Sequence, residues 1–533
     1  MMRSCATFIL VLATFVASAQ IAVCDSVQGK AVMKVFAAAG DDSDTQLSAD
    51  SAGNSAVNTP AEPVNSMLSS GRWFKIKVDT AGIYKLTYDE LKKIGIDNPQ
   101  ETRIFSYGGS ELPIYCGLSQ FNDLNEIPTY KSLGADSVFG KDDFIMFYAQ
   151  GPVTLVYNDD YGLFVPTKHS YSNFIYLFLT SDFGPGLDMD VVESDTLKSL
   201  MSTASYDYHV SFGRERYNLV SSGRRWYDKR LMANSLDSVL FVIPNIYLDE
   251  PVKGVLFAAG RKMKSTTAYF RLRYMGQDIA FCNVAKPYDD NRYADYCEQG
   301  FTFNAVSSNI YISYGLMSTS LASEGSIGKI CLNARTPLSY NGKKQLHFRD
   351  SRSAWADTVT FEIANSGHRP LVLDVTNPVK PFLIYANHSE SVTRFVAQPR
   401  GIVREYVVFD ERNLSTPIMT GSDIGVVENQ NLHGAPTPDM LIVTPSDFVQ
   451  QAEELADLHR TYDNFDVQVV TQQQVFNEFS GGTPDVAALR DYARMLHLRG
   501  DKFKYLLLFG DGTYDNCNIT GANANYLLTY QTE

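Results

Sequence analysis

Cysteine is scarce. The 533-residue chain has seven, at positions 5, 24, 116, 282, 297, 331 and 517. None forms a C-x-x-C pair, and none stands at zinc spacing from a histidine, which excludes the common structural zinc modules. So few thiols in so long a chain also argue against a disulfide framework, although Cys282 and Cys297 could pair across a loop. Basic clusters are missing too. The net charge is -14, and with no concentrated positive patch a phosphate-backbone partner is excluded. Beyond the first residues no apolar run is long enough to span a bilayer as a helix. No repeat of fixed period occurs. No G-x-G-x-x-G follows the first strand of the carboxyl-terminal region, which disfavours a dinucleotide fold.

What is abundant is aromatic. There are 31 Tyr and 31 Phe, and the hydrophobic content is 44%, a composition that favours β-rich structure with ordinary folded cores. The length predicts more than one domain.

Residues 1–19 read as a signal peptide: Arg3 is the positive flank, Phe8 to Val16 the apolar stretch, and Ala17-Ser18-Ala19 the cleavage site. Val23 before Cys24 is too large for a lipoprotein signal. The mature protein is therefore expected to be exported, to the periplasm, outer membrane or cell surface. Residues 20–70, rich in Ala, Ser, Asp and Asn, read as a disordered linker.

Order is expected from Gly71. Phe74, Ile76 and Val78 alternate with Trp73, Lys75 and Lys77, and Ile83 to Leu86 returns after Ala81-Gly82, which predicts a hairpin. Thr87 to Glu90 caps a short helix ended by Gly95. Residues 71–190 are expected to form an amino-terminal β-rich domain. Short strands punctuated by turns predict a β-sandwich or jelly-roll domain over 200–380, and a connecting β segment over 381–437.

From 438 to 533 the periodicity changes. Met440 to Val443 is a strand, and Phe448, Val449, Ala452, Leu455 and Ala456 follow at helical spacing behind Ser446 as cap. Val467 to Val470 is a second strand. Gln472 to Phe479 is a helix stopped by Gly481-Gly482, and a further helix restarts with Pro484 at its first position. Tyr505 to Phe509 is a third strand, apolar throughout, as in parallel sheets covered on both faces. This predicts an open α/β sheet with Gly510-Asp511-Gly512 at a strand's carboxyl end, where ligands of such sheets sit. Too few residues follow Asp511 to finish a doubly wound domain, so the sheet is expected to be incomplete.

Several stretches together resemble the gingipain-like cysteine peptidases of Bacteroidetes, above all the sortases of the type IX secretion system. They are Lys75 to Thr87, Arg103 to Gly109, Asn218 to Tyr227, Asn429 to Leu432, Asp439 to Thr444, Phe479 to Arg490 and Tyr505 to Tyr514. The resemblance implies a caspase-like α/β peptidase domain. In such a domain a His-Gly histidine activates a later cysteine, and backbone amides stabilise the oxyanion. It also implies secreted cargo with C-terminal sorting domains as substrate, outer-membrane secretion components as partners, and no required cofactor.

The family's dyad follows strands later than Tyr505 to Phe509, so no catalytic residue is assigned in this chain, which alone is expected to be inactive. His433-Gly434 has the right letters but precedes the first strand, and reads as a histidine in a surface connection. His459 and His497 lie on helices. Cys517 has no partner histidine after it and reads as structural. Asp511 reads as the turn-former of the strand corner, or as support for the site, or with Asp515 as a calcium ligand, although Gly510 to Asn516 does not fit an EF-hand loop. The competing reading is a non-catalytic secreted β-rich binding module with a relic peptidase sheet.

Overall fold

The computed structural model describes residues 64–115, 123–134, 136–194, 199, 201–289, 293–342, 344–522 and 524–532. The expected signal peptide and most of the expected linker lie outside these residues. By its contacts the chain divides into two compact units, one of residues 1–60 with 113–120 and one of 61–112 with 121–533. Of the first unit only Pro113 to Tyr115 are described, as a bend. The second unit is multidomain and β-rich, as its composition predicts.

Strands Trp73–Val78 and Gly82–Thr87 do not form the hairpin that alternation suggested. Trp73–Val78 pairs antiparallel with Ile175–Thr180 and with Gly425–Val427. Gly82–Thr87 pairs instead with Phe144–Ala149, in a second sheet. Both edges of Trp73–Val78 are taken by these two partners, so no edge is left for Gly82–Thr87, and its faces are covered as well: even Lys75 is 5% exposed. The two sheets close over Ile76, Val78, Leu86, Ile145 and Leu177. Gly151 permits the switch between them, since a Cβ there would lie 2.4 Å from the Ala81 amide nitrogen. The predicted helix forms over Tyr88–Ile94, with a Thr87/Glu90 capping box and left-handed Gly95 after it.

The central region is a β-sandwich. One sheet contains Ser205–Phe212, Glu324–Pro337, Pro251–Arg261 and Asp295–Asn304, and the other Ser235–Val242, Asn309–Ser318, Ala268–Tyr274 and Gln277–Asn283. Their inner faces meet in an apolar core that includes Phe270, Leu272, Ile312, Tyr314, Ile327 and Ile330. Cys282 and Cys297 are disulfide-bonded between Gln277–Asn283 and Asp295–Asn304. A further pair of sheets follows, joining strands between 191 and 409 around an aromatic cluster of Phe348, Phe361, Phe395 and Tyr406.

The last part is the parallel sheet, in the order Val467–Thr471, Met440–Thr444, Tyr505–Leu508. Met440 and Ile442 pack on Ala452 and Ala456 of helix Val449–Tyr462. Leu441 and Val443 point the other way, onto Val475, Phe476, Leu489 and Tyr492 of helices Gln472–Phe479 and Val486–Leu498. Both faces of the middle strand are thus covered. Tyr505–Leu508, expected to be covered throughout, is half open: Tyr505 is 49% and Leu508 44% exposed, because no further strand pairs with its outer edge among the described residues. Two capping details differ from expectation. Ser446 opens a 3-10 turn, Ser446–Phe448, rather than capping the helix. Pro484 precedes the cap, and Asp485 is the N-cap, accepting from the Ala487 amide.

Candidate active-site end of the parallel sheet

The helix after Met440–Thr444 leads to one neighbouring strand, and the two helices after Val467–Thr471 cross to the other. The carboxyl ends of Met440–Thr444 and Tyr505–Leu508 therefore flank the switch point of the sheet, where a crevice opens in folds of this kind. Here it is crossed by the chain itself. The Asp511 carbonyl accepts from the amides of Tyr526 (3.0 Å) and Leu527 (2.9 Å). Leu527 packs on Gly510, 3.0 Å from where a Cβ would stand. Gln472 holds the same segment from the side: its Nε2 donates to the Tyr526 carbonyl (2.7 Å), and its Oε1 accepts from the Leu528 amide (3.3 Å).

Asp511 is exposed, and its Oδ1 accepts from the Gly512 amide at 2.8 Å. Asp515 is buried. Its Oδ1 accepts from the Ile519 amide, and its Oδ2 from the amide and hydroxyl of Thr520, all at 2.7 Å. Both carboxylates thus serve the loop's own backbone. Calcium needs six to eight oxygens turned inward. Among the described residues no three His, Cys, Asp or Glu side chains gather to hold a metal. The donor set does not fit the ion.

The histidines and cysteine singled out in the sequence are not brought together. His433 is 2% exposed, which corrects its reading as a surface residue. Its Nδ1 lies 2.6 Å from Glu478 Oε2, and its ring stacks on Phe479 at 4.6 Å. The reason is Glu478, a carboxylate at 1% exposure. Besides His433 it accepts from the Leu432 and His433 amides and from Gln430 Nε2. His433 is therefore part of a buried clasp that fixes the entry into the parallel sheet. His459 bonds Asp463 one turn away (2.6 Å), and His497 is exposed. The Cys517 thiol donates to the Ser170 carbonyl at 3.4 Å, and burial pushes it up to about 11, so it stays protonated and structural.

Beside Cys517 lies a cavity of about 110 Å³, lined among others by Lys168, Ser170, Arg224, Trp226 and Tyr514. Here three parts of the chain meet. Arg224 donates to Glu111 (2.6 Å) and to the Ser170 hydroxyl (2.7 Å), and the Ser170 amide donates to Glu111 (2.5 Å). Burial acts to raise the Glu111 carboxyl, but Ser170, His169 and Arg224 together hold it below its ordinary value. Trp226 stacks on Tyr514 (5.6 Å), and the Gly223 amide donates to Gln531. Behind them His169 Nε2 faces Asp485 at 3.9 Å. His169 Nδ1 accepts from the Tyr171 amide, so the other nitrogen carries the proton. Burial lowers His169 to about 4 and raises Asp485 to about 7. Glu111, His169, Arg224, Glu478 and Asp485 all escaped the sequence reading. Only Asp485, directly after Pro484, carried a local signal, as a cap.

This geometry can be set beside known proteins. Residues 433–533 match the description "Peptidase family C25". The chain resembles the gingipain-like cysteine peptidases. Dimeric latent PorU from Porphyromonas gingivalis superposes with a TM-score of 0.74 at 26% identity, over 86% of this chain and 43% of that one. This chain thus spans under half the length of PorU. A CBM36-1 domain of a xylanase from the hindgut metagenome of Trinervitermes trinervoides has a TM-score of 0.16 at 10% identity, over 24% of this chain and 95% of that one. The sugar-binding C-terminal domain of EclA has 0.13 at 14%, over 27% and 83%. These two likenesses are too slight to bear on fold or function. No curated protein sequence matches the chain.

Proposed function

We propose that this chain is the amino-terminal portion of a secreted gingipain-like cysteine endopeptidase, a sortase that cleaves the C-terminal sorting signals of type IX secretion cargo at the outer membrane. The observation that carries the reading is the PorU-like fold over 86% of the chain, combined with a parallel sheet inside the C25 match. In this reading the β-rich parts brace the sheet, through the Glu478 clasp and the Arg224 joint. The dyad comes from strands beyond Tyr505–Leu508, and residues 1–533 supply no catalytic group, so that the chain alone is inactive. Asp511 supports the corner on which those groups would be mounted. Its partners are secreted cargo proteins and outer-membrane secretion components, with no nucleic acid. Export follows from the leader.

The test joins the coding sequence downstream of Glu533 to this chain and incubates the product with a cargo C-terminal domain. Cleavage by the extended chain and none by residues 1–533 is the expected result. An extension lacking a histidine and a cysteine on successive strands, or an inert extended protein, would leave the binding-module reading instead.

A further inference from the structure

Turns favour Gly, Asn, Asp and Ser, and at one end of the central sandwich the chain departs from that rule. The hairpin between Ala268–Tyr274 and Gln277–Asn283 is closed by Met275-Gly276, with φ of 47° and 79° and with Tyr274 paired to Gln277. Two positive φ values in a two-residue turn select Asn-Gly, and a methionine there is strained. Its side chain gains no core contact in return: Met275 is 67% exposed. Four more exposed apolar side chains stand on neighbouring turns. Val306 is one, and its amide donates to the Tyr274 hydroxyl (3.0 Å). Leu248 lies on the turn after Ser235–Val242, where the Ile243 amide donates to the Ser308 carbonyl (2.9 Å). Trp355, at 85% exposure, and Ile402 share a knob beside that turn. In the knob the Gly401 amide donates to the Ala354 carbonyl (2.8 Å), and the Trp355 ring lies against Gly401. Arg352 ties the knob to the sandwich turn by two bonds to Glu250, at 2.8 and 2.5 Å.

The apolar groups are therefore on the tips of separate turns that are bonded to one another. Polar residues such as Ser307 and Ser308 come between them, so no continuous apolar plane is offered to a folded partner. A fluid surface accepts each tip singly. Tryptophan, with its apolar body and one N–H, is suited to the boundary between water and hydrocarbon. Charge is sparse here. Arg352 is closed on Glu250, which leaves Asp249, Asp357 and Arg400 exposed on a chain whose net charge is -14. Such an end suits a zwitterionic surface, whereas an anionic one would repel the rest of the chain.

We propose that this end of the sandwich docks on a phospholipid bilayer, with Met275, Trp355 and Ile402 entering the headgroup region. The inference rests on the turns alone and does not depend on the peptidase reading. Fluorescence tests it. Of the three tryptophans, Trp73 is buried and Trp226 is stacked on Tyr514, so Trp355 is the one that stands largely in water. Phosphatidylcholine vesicles, added to the chain secreted without its leader, shift its emission to the blue. Bromine-labelled acyl chains quench it, alike at low and high salt. In co-sedimentation, Trp355→Ala lowers the partition coefficient about tenfold and Met275→Asn about three- to fivefold, the scale of one partly buried apolar side chain. Met275→Asn does so while melting no earlier than the parent, because Asn suits the turn better. Leu321→Asn, on the exposed turn between Asn309–Ser318 and Glu324–Pro337 at the opposite end, changes nothing. Should Trp355→Ala melt early, Ile402→Ser takes its place. The proposal fails if the emission does not shift, if the shift requires anionic lipid, or if Trp355→Ala and Met275→Asn partition like the parent. It also fails if Leu321→Asn weakens binding equally, or if sedimentation shows a Trp355-dependent dimer and no vesicle binding.

Discussion

The central sandwich and the carboxyl-terminal parallel sheet are held in different ways. The sandwich closes on an apolar core between two sheets, and its one covalent link, Cys282–Cys297, ties strands of those two sheets together. The parallel sheet has its own apolar layers, joined by Leu112 and Tyr107, and to these its attachment adds buried polar contacts: Glu478 with four donors from the entry segment, Lys75 against Asn477, Asp485 with the Leu112 amide, and Gln531 with the Gly223 amide. Apolar cores tolerate substitution in proportion to volume lost, whereas a buried charge stripped of a partner is penalised in full. The two regions should therefore come apart under different mutations.

The largest effect is expected from Glu478→Ala. It orphans the amides of Leu432 and His433 together with the His433 ring, and should cost about 3 to 5 kcal/mol. Limited proteolysis should then cut within 433–533 and spare the sandwich. Equal protection of both regions would refute the division.

Replacing Cys282 and Cys297 by Ala reverses the pattern. A closed loop of this length is worth about 3 kcal/mol, and the loss should appear as earlier melting of the sandwich while 433–533 keeps its protease resistance.

Lys75 sharpens the comparison through pH. Burial lowers its amine to about 8, from 10.5. A depressed folded value means that stability is present above 10.5 and is lost as pH falls through 8. At pH 7 the folded state thus holds an unfavourable buried cation. Lys75→Met should gain about 1 to 3 kcal/mol at pH 7, and the gain should shrink between pH 8 and 10.5 in denaturant titrations. A gain unchanged across that range would show that the Lys75 amine titrates alike in the folded and unfolded states, and would refute the lowered value. The smallest effect is expected from Arg224→Ala, about 1 kcal/mol for a half-buried pair. Its readout is altered fluorescence of Trp226 as the stack on Tyr514 loosens.

The same division explains what could be read in the amino acids. Met440, Val467 and Tyr505 open strands found where apolar runs placed them, and Gln472–Phe479 ends at Gly481, whose φ of 60° suits glycine. These are local signals of period and punctuation. The amino-terminal hairpin was misjudged because alternation tells which faces a strand has, not which strand will lie beside it. His433 was misread because its burial is set by Glu478, 45 residues away, and nothing adjacent to His433 announces that carboxylate. Asp511 and Asp515 were visible as acids in a loop, but two of the three donors that occupy Asp515, the Ile519 and Thr520 amides, are backbone geometry and leave no trace in residue type. The exposed rings of the sandwich were hidden for a related reason: Tyr311 is read equally well as core or surface until register assigns it a side.

The pairing of Trp73 with Val427 has a consequence for how the molecule is made. Residues that leave the ribosome early wait for an outer strand that emerges only after the whole sandwich. Closing so wide a circuit is slow and entropically costly. Synthesis runs from one end to the other, but completion of the first sheet cannot, and a polypeptide threading through a membrane pore would keep that edge open until Gly425–Val427 had crossed.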